Sequence, residues 1–267
     1  DVHFAFDWTT NNSVLFDYGI HSLKPLRHRR TTKISIINYS ISHAKAYCRI
    51  TPRSAMAEDW QLPRVGTPSD PLRLAVFISG SGSGMEALLK HQQNTACLHT
   101  TTVVISDKAD VSGLIKAEAL GVTAVVIPLP EISDREERRL VHEKEVGEVL
   151  ADYGVEAIIL SGYMRILTPS FVKPWAGRIL NIHPSLLPDF PGAHAHRDAI
   201  AAGVSKSGCT VHFVDSGMDS GPIIMQREVE VLSSDDVDSL AEKVKKQEHI
   251  LYPQAIDLFS AGEIESP

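Results

Sequence analysis

No apolar run in this 267-residue sequence reaches the roughly 18 residues of a membrane span, so no helical crossing of a bilayer is expected. Cysteine is scarce: Cys48, Cys97 and Cys209 are too few for a disulfide framework and match no zinc spacing, which points to a reducing compartment. Cationic excess is missing as well, and a net charge of −7 gives no electrostatic footprint for nucleic acid. Repeats and low-complexity tracts are absent. With 43% hydrophobic and 22% charged residues, the chain is excluded from the wholly disordered and collagen-like classes. No methionine precedes Met56.

Charge is spread unevenly. Residues 1–55 carry 8 Lys/Arg against 3 Asp/Glu, a net +5, and the remainder carries 18 against 30, a net −12. The first 55 residues show no sustained period of 2 or 3.6, although Lys33–Ser40 reads as a short strand. The Arg-rich, acid-poor stretch His21–Ser54 has the composition of an organelle transit peptide; the competing reading is upstream sequence with Met56 as natural initiator. Residues 57–71, with Pro63, Pro68 and Pro71, read as a linker. Residues 1–71 are therefore expected to be an N-terminal extension and linker, disordered or non-native.

From Leu72 onward, continuous Val/Ile/Leu runs alternate with helical segments, the pattern of a parallel sheet buried on both faces. Strands are expected at Leu72–Ser79, Thr101–Ile105, Val122–Leu129, Val155–Leu160 and Arg178–His183. Helices are expected at about Met85–His91, Gly113–Leu120, Asp134–Tyr153 and Asp235–Ser260, the last with a capping box from Ser233 and Asp236. Thr210–Val214 and Pro222–Val231 read as an antiparallel pair. The expected fold class is α/β: an open, mostly parallel Rossmann-like sheet flanked by helices, closed by antiparallel C-terminal strands.

Gly80-Ser81-Gly82-Ser83-Gly84, between a strand and a helix, has the physics of a phosphate cradle: glycines admit an anion and the helix N-terminus attracts it. The third glycine is misplaced for a dinucleotide fingerprint, and no Lys-Ser/Thr follows to make a Walker loop. A tight turn that binds nothing is the competing reading. Further on, Asn181 and His183 stand two apart on a strand, so both side chains leave the same face, just before Pro184 stops the ladder. An amide beside an imidazole suits acyl transfer: one stabilises an oxyanion, the other moves a proton. His194 and His196 alternate in the Pro-rich loop that follows, without the partners of a zinc site. Asp219 lies in an Asp/Ser/Gly turn, either near His183 or simply as a turn residue. Glu248 shares a helical face with apolar Val244, Leu251 and Ala255, and a carboxylate there must be paired or functional. It either grips a substrate amine or pairs locally with Lys245 or His249.

FISGSGS, SDKADVSGL, GYMRIL, ILNIHPSLLPDFPGAHAHR, TVHFVDSGMDSGP and QEHILYP occur in this order between Leu72 and Ile264. Together they resemble the phosphoribosylglycinamide formyltransferase family, folate-dependent enzymes of purine synthesis. The resemblance implies one formyltransferase domain over 72–264, with a phosphate-binding half at about 72–176 and a folate and catalytic half at about 177–264. It implies formyl transfer from 10-formyltetrahydrofolate as co-substrate to the amine of glycinamide ribonucleotide. Asn181, His183 and Asp219 match the family's catalytic residues: Asn181 for the formyl oxygen, His183 as proton donor, Asp219 to raise the pKa of His183. Gly82, Ser83, Gly84, Met85 and Glu86 match the phosphate loop. Met164, Arg165, Ile166 and Leu167 match the folate-pocket segment, to which Asn181 also contributes. Glu248 matches the acid at the substrate's amino end. Arg139 matches a ligand arginine by ungapped counting, with Arg135 and Arg138 as neighbouring alternatives. The implied partners are small molecules, without metal, nucleic acid or membrane, in a cytoplasmic monomer or homodimer.

Three positions depart from the family pattern: Gly84 replaces a usual asparagine, Asp107 stands where asparagine is common, and Lys245 stands at a familiar glutamine. The rivals of the same fold are formyltetrahydrofolate deformylase and methionyl-tRNA formyltransferase. The non-enzymatic rival is a nucleotide-binding module, which would account for the glycine loop alone.

Overall fold

The computed structural model describes residues 60–94 and 96–265; the readings made for residues 1–59 lie outside them. Seven strands form one sheet in the order β3-β2-β1-β4-β5-β6-β7. They are β1 (Leu72–Ile78), β2 (His99–Ser106), β3 (Ala124–Val126), β4 (Ala157–Leu160), β5 (Ile179–His183), β6 (Lys206–Phe213) and β7 (Ile223–Glu230). β1 to β5 pair in parallel, whereas β5–β6 and β6–β7 are antiparallel, as the sequence pattern leads one to expect.

Strand alternation decides which helix covers which face. Leu72, Leu74, Val76 and Ile78 of β1 pack on the side of α1 (Ser83–His91), α2 (Ser112–Ala119) and α6 (Val237–Ser260). Ala75 and Phe77 face the other way, onto Val146 and Leu150 of α3 (Arg135–Asp152) and Phe171 and Val172 of α4 (Pro169–Val172). With both faces covered, β1 has no polar position along its core-facing length, hence its nearly unbroken apolar run.

Several expectations need correction. The third strand is three residues long, not eight. Val122 N–H still closes the end of α2 on Ala117 O, and Pro128 and Pro130 have no N–H to extend the ladder. The capping box of α6 uses Asp236 and Ser239 rather than Ser233 and Asp236, because the helix begins at Val237. The short helices α4 and α5 (Ala195–Ala201) have no counterpart in the sequence reading. Residues 60–71, read as linker, lie against the domain. The Trp60 ring meets Phe213 edge-on at 5.4 Å, Gln61 N–H donates to Ala176 O, and Gly66 N–H donates to Ser260 O. Arg64 reaches Glu156 through Nε at 2.6 Å and Nη2 at 2.9 Å. An extended, Pro-rich segment looks the same in sequence whether it hangs free or is pinned this way.

Candidate active site

In the sheet order, β1 leads to β2 on one side, while β4 lies on its other side. Open α/β sheets bind ligands at such a reversal, beyond the carboxyl ends of the strands. The glycine loop, residues 162–167 and the Asn181–His183 pair all leave the sheet there, from the adjacent strands β1, β4 and β5. Ser79 Oγ accepts a hydrogen bond from Met164 N at 2.9 Å, joining the first two segments.

The glycine loop turns into α1 at Gly82, which serves as N-cap with φ +63 and ψ 28. A Cβ at Gly82 would lie 2.8 Å from Gly113 Cα, so handedness and space both demand glycine. No side chain caps the helix, and its first N–H groups stay available to an anion. Met85 is fully buried, so only its backbone can serve a ligand. The Glu86 carboxylate is held by Lys90 at 2.6 Å and Lys116 at 2.9 Å, chiefly the former hydrogen bond, which brings its pKa down to about 2. Those two lysines keep a carboxylate from opposing an anion at the helix start. A Cβ at Gly84 would come within 2.7 Å of Ser161 Oγ, the end of a rotatable side chain, so a larger residue there requires only that hydroxyl to turn. Gly82→Ala is expected to destabilise by at least about 1–2 kcal/mol from handedness alone. A lowered thermal midpoint together with weakened phosphate-ester binding checks it.

On β5 the structure brings Asn181, His183 and Asp219 together. His183 is 4% exposed. Its Nε2 lies 2.9 Å from Phe190 O and its Nδ1 3.3 Å from Asp219 Oδ2. Both ring nitrogens thus face acceptors, and a ring with a proton on each nitrogen can donate to both. Asp219 is fixed in turn: its backbone is left-handed at φ 51, and its Oδ2 accepts from Gly192 N at 2.8 Å. That bond ties the acidic turn to the Pro-rich loop after β5.

His212 escaped the sequence reading, although it lies inside one of the quoted motifs. Antiparallel pairing of β6 places it opposite Asn181. Its Nδ1–H donates to Phe213 O at 2.7 Å, so Nε2 is free to accept from Asn181 Nδ2 at 3.2 Å. Burial pushes the imidazole down, keeping it neutral as that acceptor role requires. The amide of Asn181 is oriented by this bond and keeps a second N–H for an oxygen. Only the strand register could have revealed the pair. His194 precedes α5 as its N-cap, and His196 is pushed down by burial and then by His183.

Beyond β4, Gly162 turns at φ 70 and releases a segment with Met164 and Ile166 exposed at 67% and 58%. A cavity of about 230 Å³ is lined by Tyr163–Leu167 together with Arg135, Arg138 and Arg139 of α3. Exposed thioether and branched alkyl groups beside guanidinium groups suit a ligand with an apolar ring and an anionic tail. All three arginines line it, and Arg138 Nε is buried without a partner, so Arg138 matches such a tail as well as Arg139 does. Arg165 is tethered at Nε to Asp107 Oδ2 at 2.6 Å. An asparagine at 107 would offer no charge, so this departure from the family pattern pins the ligand segment.

Glu248 lies on α6. The Tyr252 hydroxyl, one turn later, lies 2.9 Å from both Leu160 O and Leu180 O, anchoring the helix at the β4–β5 junction. Val244 and Leu251, on either side of Glu248 along α6, share a buried cluster with Met85, Leu88 and Leu89 of α1. Burial pushes the Glu248 carboxyl up to about 7, against a smaller opposing effect of Lys245. Lys245 itself pairs with Glu242 at 2.8 Å rather than with Glu248.

Residues 72–256 match the model of the formyl transferase family. Phosphoribosylglycinamide formyltransferase of Escherichia coli K12 is 38% identical over 196 residues, 73% of this chain and 90% of that protein. The trifunctional purine biosynthetic protein adenosine-3 of Gallus gallus is 43% identical over 197 residues, 74% of this chain but 19% of that much longer protein. The crystal structure of glycinamide ribonucleotide transformylase 1 from Symbiobacterium toebii superposes with TM-score 0.70 at 41% identity, covering 74% of this chain and 91% of that one.

Proposed function

The chain belongs to the formyl transferase family, and from that premise we propose that it transfers the formyl group of 10-formyltetrahydrofolate to the amine of glycinamide ribonucleotide. The products are formylglycinamide ribonucleotide and tetrahydrofolate. The observation that carries this reading is the convergence of Asn181, His183 and Asp219 at the carboxyl end of β5. A nucleotide-binding module has no use for that triad. The names of the Escherichia coli and Symbiobacterium toebii relatives support glycinamide ribonucleotide as the acceptor.

The glycine loop and the N-terminus of α1 hold the phosphate of the ribonucleotide. Glu248 faces its amino end. The folate lies along Met164–Leu167, its tail carboxylates toward the α3 arginines. As the amine attacks, negative charge gathers on the formyl oxygen. Asn181 donates its free N–H to that oxygen, and His183 gives it the Nε2–H now donated to Phe190 O. Asp219 balances the positive charge of the ring from the Nδ1 side. The attacking amine loses a proton and the departing folate nitrogen gains one, with His183 as the nearest group able to carry it.

Folate turnover followed by absorbance distinguishes the readings. Turnover that requires glycinamide ribonucleotide is expected. Formate released without an amine acceptor would indicate a deformylase, and activity only with charged initiator tRNA would indicate the tRNA enzyme.

A further inference from the structure

At the end of the sheet opposite the catalytic residues, four side chains of metal-ligating type converge. His91 ends α1, Cys97 lies in the following loop, His99 opens β2, and Asp257 lies near the end of α6. One ligand atom from each lies within 4.8 Å of all the others. His91 Nε2 is 2.9 Å from both carboxylate oxygens of Asp257, and His99 Nε2 is 3.0 Å from Oδ1. The two rings stack at 6.0 Å with 17° between their planes, aiming both Nε2 atoms at one place. His99 is buried, while the other three reach the surface, so an ion has an approach.

We propose that His91, Cys97, His99 and Asp257 form a tetrahedral site for zinc(II) that ties the α1–β2 loop to the last turns of α6 and takes no part in catalysis. Ligand bonds of about 2.0–2.3 Å place tetrahedral ligand atoms roughly 3.3–3.8 Å apart. The nitrogen–oxygen pairs therefore open by less than an ångström as the sulfur closes in. Two imidazoles, a thiolate and a carboxylate form a donor set of the kind zinc accepts, and their two negative charges neutralise the ion. Burial and the Asp257 charge push the Cys97 thiol up, while the backbone N–H groups of His99 and Leu98 oppose them. A cation at this point reverses the balance.

The proton count is simple. The Cys97 thiol gives its proton to solvent as the sulfur–zinc bond forms, Asp257 binds as the carboxylate, and His91, whose Nε2–H points at that carboxylate, gives up this proton and takes one from solvent on Nδ1 so that Nε2 can bind. His99 needs a tautomer change. Thr101 N–H donates to Gln92 Oε1, so Gln92 Nε2 donates to His99 Nδ1 and the ring proton sits on Nε2. On binding, that proton leaves Nε2 and Nδ1 takes one, which Gln92 Oε1 accepts after a turn of its amide, at the loss of the bond from Thr101 N–H. Such an outer acceptor is what zinc-bound histidines carry. The sequence offers no warning of the site, because Asp257 is 158 residues beyond His99.

The test titrates the full chain, kept reduced and freed of metal, with cobalt(II) and then zinc(II). One equivalent of cobalt is expected, with a thiolate charge-transfer band that zinc abolishes. Zinc is expected to raise the thermal midpoint and, at one equivalent, to leave formyl transfer unchanged. Cys97→Ser, a small change at a partly exposed position, is expected to lose the band and weaken zinc binding by more than about 10–100-fold. Gln92→Glu, whose carboxylate accepts from Thr101 N–H and His99 Nδ1–H together, is expected to tighten it. No cobalt uptake, a band that persists in Cys97→Ser, or zinc affinity indifferent to both substitutions overturns the site; a changed formyl-transfer rate overturns its separation from catalysis.

Discussion

His183→Ala is expected to lower turnover by about 10²–10⁴-fold, the range for removal of a positioned proton-transfer group. The ring is held from both sides, by Phe190 O and by Asp219, and neither partner leaves when the imidazole is removed. Substrate binding depends on other elements, the start of α1 and the 162–167 segment, so KM values are expected to change little while kcat falls. Asn181→Ala removes a single donor and is expected to cost on the order of 10²–10³ in kcat. Both donors serve one oxygen. The double variant is therefore expected to lose about as much as the worse single one, rather than the product of the two. Steady-state kinetics on all three, with circular dichroism to establish that they fold, decides the matter. Near-full turnover in His183→Ala would remove His183 from the mechanism and with it the reason for Asp219.

The parallel sheet was legible because burial on both faces leaves an unbroken apolar run, as in β1 and β4, and because helices must separate parallel strands. The shared face of Asn181 and His183 follows from period 2 alone. What lay beyond reach depends on register and distant packing. His212 meets Asn181 only through the β5–β6 pairing, and Tyr252 reaches Leu160 and Leu180 across the sheet. Asp107 acquires its meaning from Arg165, 58 residues later. The Pro-rich segment before β1 misled for a related reason. Its anchors, Glu156, Ala176 and Ser260, lie far along the chain, and nothing local records them.

Glu248→Gln is expected to stabilise the fold while weakening the amine substrate, and both effects depend on pH. Burial lifts the carboxyl from an ordinary 4.5 to about 7. The folded state therefore holds a proton that the unfolded chain has released throughout that interval. Stability associated with Glu248 is fully present below about 4.5, falls as pH rises through about 7, and is level above. At 1.36 kcal/mol per pKa unit the loss amounts to about 3 kcal/mol at most. Glutamine never ionises, so the variant's advantage should open between these pH values and persist above them. At about 2–4 °C per kcal/mol for a chain of this size, the thermal midpoint should rise by up to roughly 6–12 °C at pH 8 and hardly at all at pH 4.5. Substrate affinity should move the other way. The ionised carboxylate attracts the amino end of the ribonucleotide, so the wild-type KM should fall as pH rises through about 7, whereas the variant lacks this step. Thermal melts and KM measured across pH 5–9 test both halves. A melting difference independent of pH would show that Glu248 titrates alike in the folded and unfolded chain. A KM unchanged by the substitution would detach it from the amine. The two effects share one cause: holding a carboxylate half-buried at the proposed amine subsite weakens the fold and strengthens the site.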